Sequence, residues 1–469
     1  MAPTPFLPVT YLRAQADAAP AAPAVIDPAR TLTFAELEQR VHAAAAALRS
    51  QGLRPGDVVA VSLPNVWEYV VLELAIPLLA AIVMPIPINL GSREREWALE
   101  RSGARARIDS EVAEKLCVSP FRGWLEPPTA DPDRVVEIAL TSGTTGLPKL
   151  ASLHAGLKQA TADAFTGRLG VGGADRVLIM SPLMQGIGGM CLYCLRRGAA
   201  LVMLREPGFD PDRTLRMAEQ TQATLLVGVP TNVIRLLDAP LLPEISLRAA
   251  RCTAVAGAPM PPALARAWEE RTGSKLCSFY GSMDAGQLAV GAPQDPAVKR
   301  WTTVGRIHGC AEAMITAEGE ICMRGPTVQG RYWGEERGPL GPDGWAHMGD
   351  LGFIDSEGYL HVVGRVKDIV IRGGSNINPH EVEDLVRSHP AVKDVCVVGQ
   401  PDRELGERLR AFVVGGQTVD LPEVQRHLSE LGVAKYKWPE FVDHLNELPL
   451  SGPGKVDRKA LKARAAQAS

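Results

Sequence analysis

The residues best suited to chemistry form one run, TSGTTGLPKL, at positions 141–150. Gly143 and Gly146 allow backbone N–H groups to turn toward an anion. The hydroxyls of Thr141, Ser142, Thr144 and Thr145 can donate to it, and Lys149 supplies a positive charge. This is the make-up of a phosphate cradle. It is not the common one, in which two glycines separated by four other residues are followed by Lys and Ser/Thr. Five positions after Gly143 stands Pro148, and Lys149 is followed by Leu150. Other candidates are scattered downstream. Asp350 closes HMGD, where a carboxylate can accept two ribose hydroxyls. Tyr280 in FYGSMDAG offers a ring that can stack on a base. Lys455 follows the glycines of SGPGKV, far from any apolar run. Taken singly, each also fits a plain role: a surface turn, a packed aromatic, a flexible lysine.

The elements that must hold these residues follow from the hydrophobic pattern. Thr33 and Glu36 form a capping box at the head of a helix running through VHAAAAALRS to Gly52. PGDVVAVSLPN is a short apolar run between turn signals, the mark of a buried strand. ATLLVGVP, CTAVAG and SKLCSFYG continue that rhythm, with the helical patterns TNVIRLLDAP and PPALARAWEERTG between them. Buried strands alternating with amphipathic helices predict a layered α/β fold. From about Gln287 glycine becomes frequent and helical periodicity stops, so a β-rich region is expected, with residues 355–358 turning between two strands. After Lys367 strands and helices mix again. The expectation is α/β: a large N-terminal domain, residues 1–366, of layered α/β subdomains plus a β-rich one, then a small α+β domain, residues 367–469.

Composition narrows the classes. A chain of 469 residues exceeds one core. Its 46% apolar and 22% charged residues are ordinary for a globular protein, and a net charge of −3 argues against a nucleic acid polymer or an anionic membrane as partner. Cys191 and Cys194 have two residues between them and no second Cys/His pair near them, so they read as a buried, reduced pair. The N-terminus lacks a basic stretch followed by a long apolar one, and the most hydrophobic segment, 74–88, is broken by Pro77, Pro85 and Pro87. A cytoplasmic chain without a membrane span is expected.

The order of the motifs carries a resemblance. TSGTTGLPK, AGAP at 256–259, FYGSMDAG at 279–286, GEICMRGP, GWAHMGDLGFIDSEGYLHVVGRVKDIVIRGG and ELPLSGPGKVDRKAL at 447–461 resemble, in sequence, the signatures of the acyl-adenylate-forming superfamily. That superfamily includes acyl- and aryl-CoA ligases, adenylation domains and firefly-type luciferases. The resemblance runs from Thr31 to about Leu461 and lies nearest to acid–CoA ligases. It implies ATP, Mg²⁺ and CoA, or the phosphopantetheine of a carrier protein, as partners of a small carboxylic acid. It also implies roles. The 141–149 loop would hold the β- and γ-phosphates, and Gly257, Ala258, Pro259, Tyr280 and Gly281 would flank the adenine. Asp350 and Arg365 would reach the ribose, and Asp284 would take the metal. Lys455 would bridge the acid carboxylate and the α-phosphate. The C-terminal domain would be mobile, turning about Lys367, with Gly373 and Gly374 leaving room for a pantetheine arm. A monomer or homodimer is expected.

The chain also departs from the family pattern. Gln185 stands where a histidine is usual in the 182–188 motif, Met283 replaces a threonine, Asp284 a glutamate and Leu150 a glycine. The stretch 108–135 is short. No Asp or Glu lies between Arg176 and Leu204, which disfavours an α-amino acid. Met184, Gly186, Gly188 and Gly189, with Gln185 as a polar contact and Gly257 and Ser282 alongside, suggest a pocket for aryl, alicyclic or short-to-medium acyl acids. Two other readings stay open: an adenylating enzyme that loads a carrier protein, and a non-catalytic nucleotide-binding relative.

Overall fold

The computed structural model describes residues 8–121, 123–141, 148–205, 208–283, 285–328, 331–372, 375–416, 418–451 and 455–468. They divide into two units, one formed by Met1–Met314 with Cys322–His347, the other by Ile315–Ile321 with Met348–Ser469.

The first unit is built on two sheets. In the larger, the parallel strands Arg176–Ile179, Leu225–Gly228, Cys252–Val255 and Lys275–Ser282 lie side by side, and Gly286–Val290 joins the last of them antiparallel. Successive side chains enter opposite layers. Val177, Ile179, Leu225 and Val227 join one core, while Leu178 and Leu226 join another with Trp268 and Leu276. The smaller sheet runs Ala106–Ile108, Val58–Val61, Ile82–Pro85, Val135–Thr141, Lys149–His154. The apolar run beginning at Val58 is fully buried, as a strand covered on both faces must be. Helix Phe34–Ser50 starts at Thr33, whose side chain accepts from the Glu36 N–H while the Glu36 carboxylate accepts from the Thr33 N–H.

The 287–366 region is mainly β, as expected, but a six-residue helix, Ala297–Thr302, interrupts it. Buried Arg300 on that helix pairs with Glu269. Cys191 and Cys194 are buried and free. Met184 is buried, with its sulfur accepting the Leu63 N–H at 3.3 Å. No helix among the described residues is long and apolar enough to cross a membrane.

The second unit centres on the strands Val370–Arg372, Gly406–Val414 and Asp394–Asp402. Val395 and Val397 face the helices Pro379–Arg387 and Leu421–Glu430, while Cys396 and Val398 face Arg458–Gln467. Alternation along one strand thus separates two small cores. Packing gathers Met348–Ser469 with Ile315–Ile321 into this unit. Strands Ala346–Ile354 and Leu360–Arg365 pair with each other, and Asn378 donates to the Val363 carbonyl, fastening their hairpin to the head of helix Pro379–Arg387.

Candidate active site

In the first unit the phosphate-loop candidate closes a hairpin. Thr141 ends one strand opposite Lys149, which begins the next. Ser142, Gly143, Thr144, Thr145 and Gly146 lie outside the described residues. The two ends of the loop are informative. The Thr141 hydroxyl is buried and has no hydrogen-bond partner among the described residues. Lys149 Nζ lies 4.6 Å from the centre of the Tyr332 ring and donates to its hydroxyl at 3.2 Å. The Trp333 N–H donates to the Leu150 carbonyl at 2.7 Å, which locks the 332–333 segment against the hairpin. Tyr332 is a support that sequence reading missed, because it is 183 positions from the lysine it holds. A cavity of about 980 Å³ beside this hairpin is lined by Asp133, Ser152, His154, Tyr332 and Glu335, and by none of the residues expected to bind the acid.

The other expected residues of this unit gather at the carboxyl ends of adjacent parallel strands, where open α/β sheets hold ligands. Residues 182–190 follow Arg176–Ile179, residues 256–259 follow Cys252–Val255, and 280–283 end Lys275–Ser282. These segments touch. A Cβ on Gly186 would stand 2.5 Å from Met283 Sδ, and one on Gly257 would stand 3.0 Å from Ile187 Cδ1. Gly257 also has φ +87°, a left-handed conformation that suits glycine. Gly188 has a packing cause, since a Cβ there would lie 2.1 Å from the Pro182 carbonyl oxygen. Gln185 stands at the head of helix Gly186–Met190 with no capping bond from its side chain. The Ser282 hydroxyl accepts the Ala285 N–H at 3.0 Å. Gly257, Ala258, Pro259, Gly281 and Ser282 are exposed, and Gln185, Ile187, Tyr280 and Met283 half-buried, so the gathered edge is open to a ligand. Asp284, the expected metal ligand, lies outside the described residues.

Beneath the hairpin sits a buried charge cluster. Lys158 donates to Glu73 at 3.0 Å and to Glu137, which stands on the strand leading to Thr141. Burial raises the Glu73 pKa to about 7; Lys158 opposes this and Glu137 adds to it.

In the second unit the register places Asp350 opposite Arg365, and Arg365 Nε donates to Asp350 Oδ1 at 2.7 Å. The two residues expected at a ribose are therefore side by side. Lys367 is exposed within the turn Val366–Asp368, and its carbonyl accepts from Lys462 at 3.4 Å. Lys455 opens the strand Lys455–Val456, paired with Ser451; Gly373 and Gly374 lie outside the described residues. Helix Arg458–Gln467 comes directly after and is tied down by charge. Arg458 binds buried Glu383, which also pairs with His380 at 3.1 Å, and lies 3.9 Å from buried Asp368.

Comparison with known proteins fits this geometry. The family described as AMP-binding enzyme matches residues 12–333, and the AMP-binding enzyme C-terminal domain matches 381–455. The chain belongs to the AMP-binding enzyme family. It is 32% identical to a feruloyl-CoA synthase of Amycolatopsis sp, over 95% of this chain and 96% of that one. It is 29% identical to the medium-chain fatty-acid–CoA ligase of Escherichia coli (strain K12), over 96% and 89%. The crystal structure of ATP-bound MatB from Rhodopseudomonas palustris superposes with a TM-score of 0.88 at 26% identity, covering 97% and 98%. This member of the family is an AMP-forming acid–thiol ligase.

Proposed function

We propose that this ligase activates a largely apolar carboxylic acid (aryl, alicyclic or short-to-medium acyl) as its adenylate and then passes the acyl group to CoA. The observation that carries this reading is the meeting of segments 182–190, 256–259 and 280–283 at one carboxyl edge. That edge has apolar walls from Ile187 and Met283 and no acidic side chain between Arg176 and Leu204. The acids in the names of two relatives, feruloyl and medium-chain fatty acid, are largely apolar as well.

In the first step a carboxylate oxygen of the acid attacks the α-phosphorus of ATP, the bond to the bridging oxygen breaks, and pyrophosphate leaves. Nucleophile and electrophile are both anionic, so cationic groups must already be in place. Lys149, held by Tyr332, and the leftover hydroxyl of Thr141 support the 141–149 loop as the holder of the departing phosphates. Asp350, oriented by Arg365, would accept the ribose hydroxyls, and Tyr280 with Gly257–Pro259 would flank the adenine. Mg²⁺, with Asp284 as its protein ligand, would neutralise triphosphate charge. Lys455 would bridge carboxylate and α-phosphate. In the second step a thiolate attacks the acyl carbon and AMP leaves. Lys455 then has to vacate the space, and domain 367–469 would turn about Lys367 so that Gly373 and Gly374 admit the pantetheine arm.

ATP–pyrophosphate exchange over a panel of acids, followed by AMP release with and without CoA, tests this reading. Exchange and CoA-dependent AMP release are expected with apolar acids; exchange without CoA turnover would shift the acceptor to a carrier protein. Lys455→Ala should lower exchange at least ~100-fold, the scale of one electrostatic catalytic contact. It should also leave thioester formation from supplied acyl-adenylate nearly intact. Equal loss of both half-reactions would end the two-conformation account.

A further inference from the structure

Gln287 is a polar residue where none is needed for folding. It sits in the strand Gly286–Val290, whose next three residues Leu288, Ala289 and Val290 are wholly buried and apolar, and is itself only 5% exposed. A buried amide normally has partners at both ends, because an unmet one costs stability. Among the described residues Nε2 reaches only the Met190 sulfur at 4.0 Å, and Oε1 has no partner.

The backbone cannot shift to relieve this. Gln287 pairs with Gly281, where a Cβ would come within 2.7 Å of the Gln287 Cα. The Gln287 carbonyl accepts from His308 Nε2 at 2.7 Å, while His308 Nδ1 accepts the Cys310 N–H at 3.3 Å. Burial lowers the His308 pKa, so the ring is a neutral, fixed donor near pH ~7. The main chain at Gln287 is thus held in place, and Nε2 faces Met190, the last residue of the helix Gly186–Met190. That helix is part of the open carboxyl edge, and Met190 itself is half-exposed.

We infer that Gln287 reads the end of the acid remote from its carboxylate, and that the preferred acid carries a hydroxyl there. This rests on segments 182–190, 256–259 and 280–283 forming the acid site. A buried amide beside Met190, with an acceptor unmet among the described residues, is how an apolar pocket selects one polar group. A hydroxyl can donate to Oε1 and accept from Nε2, which an alkyl or unsubstituted aryl end cannot. Sites with an unmet buried polar group discriminate strongly against analogues lacking its partner. Sequence reading passed over Gln287 because one glutamine in an apolar strand shows nothing of what its amide faces.

The test is ATP–pyrophosphate exchange with acids compared in pairs: phenylpropanoate with and without a para-hydroxyl, octanoate with and without a terminal hydroxyl, and cyclohexanecarboxylate with and without a ring hydroxyl. The unaltered enzyme should favour the hydroxylated member of at least one pair by about 10-fold or more in kcat/KM. Gln287→Leu should erase that preference by lowering kcat/KM for the hydroxylated acid, with little change for its partner. The variant should melt no lower than the parent, since it removes an unmet buried amide. A hydroxylated acid with ATP should raise the melting temperature of the parent more than that of the variant. The inference is overturned if no pair shows a preference in the unaltered enzyme. It is also overturned if Gln287→Leu lowers both members equally. Selectivity of the unaltered enzyme decides even if the variant does not accumulate. Absence of exchange with every acid would instead overturn acid activation itself, and this inference with it.

Discussion

Glu73 in the first unit and Glu383 in the second are both deeply buried carboxylates held by cations, yet their pKa values move in opposite directions. Glu73 and Glu137 share the ammonium of Lys158, with the Tyr69 hydroxyl donating to Glu73 at 3.3 Å. Burial, opposed by that one cation and assisted by the second carboxylate, lifts Glu73 to about 7. Around Glu383 the balance is reversed. Glu383 and Asp368 are met by Arg458 and His380, and Lys462 reaches Asp368 as well. Burial still pushes Glu383 upward, but the His380 hydrogen bond and the Arg458 charge outweigh it and leave the pKa lowered. Burial alone does not set the direction; the hydrogen bonds and the charges of both signs that meet each carboxylate do.

The largest break in this comparison should come from Lys158→Met. It leaves Glu73 and Glu137 without their shared cation, and removing one side of a buried ion pair costs about 3–5 kcal/mol. Arg458→Met should cost less, about 3 kcal/mol, because His380 still faces Glu383. Urea unfolding of both variants, followed by hydrogen exchange in Trp67–Leu78 and Pro379–Arg387, checks the order. The opposite ranking would mean that the groups remaining around each carboxylate are not what distinguishes the clusters.

The two clusters should also answer pH with opposite sign. A raised carboxylate pKa contributes stability that is full below the unfolded value of 4.5 and lost as pH rises toward about 7, so the first unit should weaken across that window. A lowered one contributes stability that is present above 4.5 and lost as pH falls through the folded value, so the second unit should weaken only in acid. Glu73→Gln should flatten the first response, removing a loss of about 3 kcal/mol between pH 4.5 and about 7, since one pKa unit corresponds to about 1.4 kcal/mol. Hydrogen exchange measured on both sides of each window separates the units, and a fall in both on acidification alone would refute the assignment.

Neither cluster could be read from the sequence, and the reason is range. Lys158 and Glu73 are 85 positions apart, Arg458 and Glu383 75. What sequence does disclose is local: the Thr33–Glu36 capping box, the turn at 355–358, the buried strand from Val58. The helix Ala297–Thr302 was too short for periodicity to register, and the grouping of Met348–Ser469 into one unit depends on a hairpin and on Asn378, not on composition. The site divides in the same way. Motif order named Lys149, Asp350 and Arg365 without showing that Tyr332 holds the first or that the other two face each other across a ladder. Gln287, in the same strand as the end of a quoted motif, stayed hidden until its amide could be placed.

The smallest effect tests where the second cluster is centred. Lys462 is half-exposed and reaches Asp368 Oδ1 at 3.6 Å, longer than a hydrogen-bonded ion pair. Exposed pairs of this kind contribute about 0.2–1 kcal/mol, so Lys462→Ala should cost about 0.5 kcal/mol. That cost should shrink in high salt, because a solvent-facing ammonium is screened while Arg458 on buried Glu383 is not. A double-mutant cycle with Arg458→Met should show coupling between the two cations, since both address Asp368. A cost near that of Arg458→Met itself would place the centre of the cluster at Asp368, beside the proposed hinge residue. The contrast with Glu73 would then have to be redrawn around a carboxylate that Arg458, Lys462 and His380 all address.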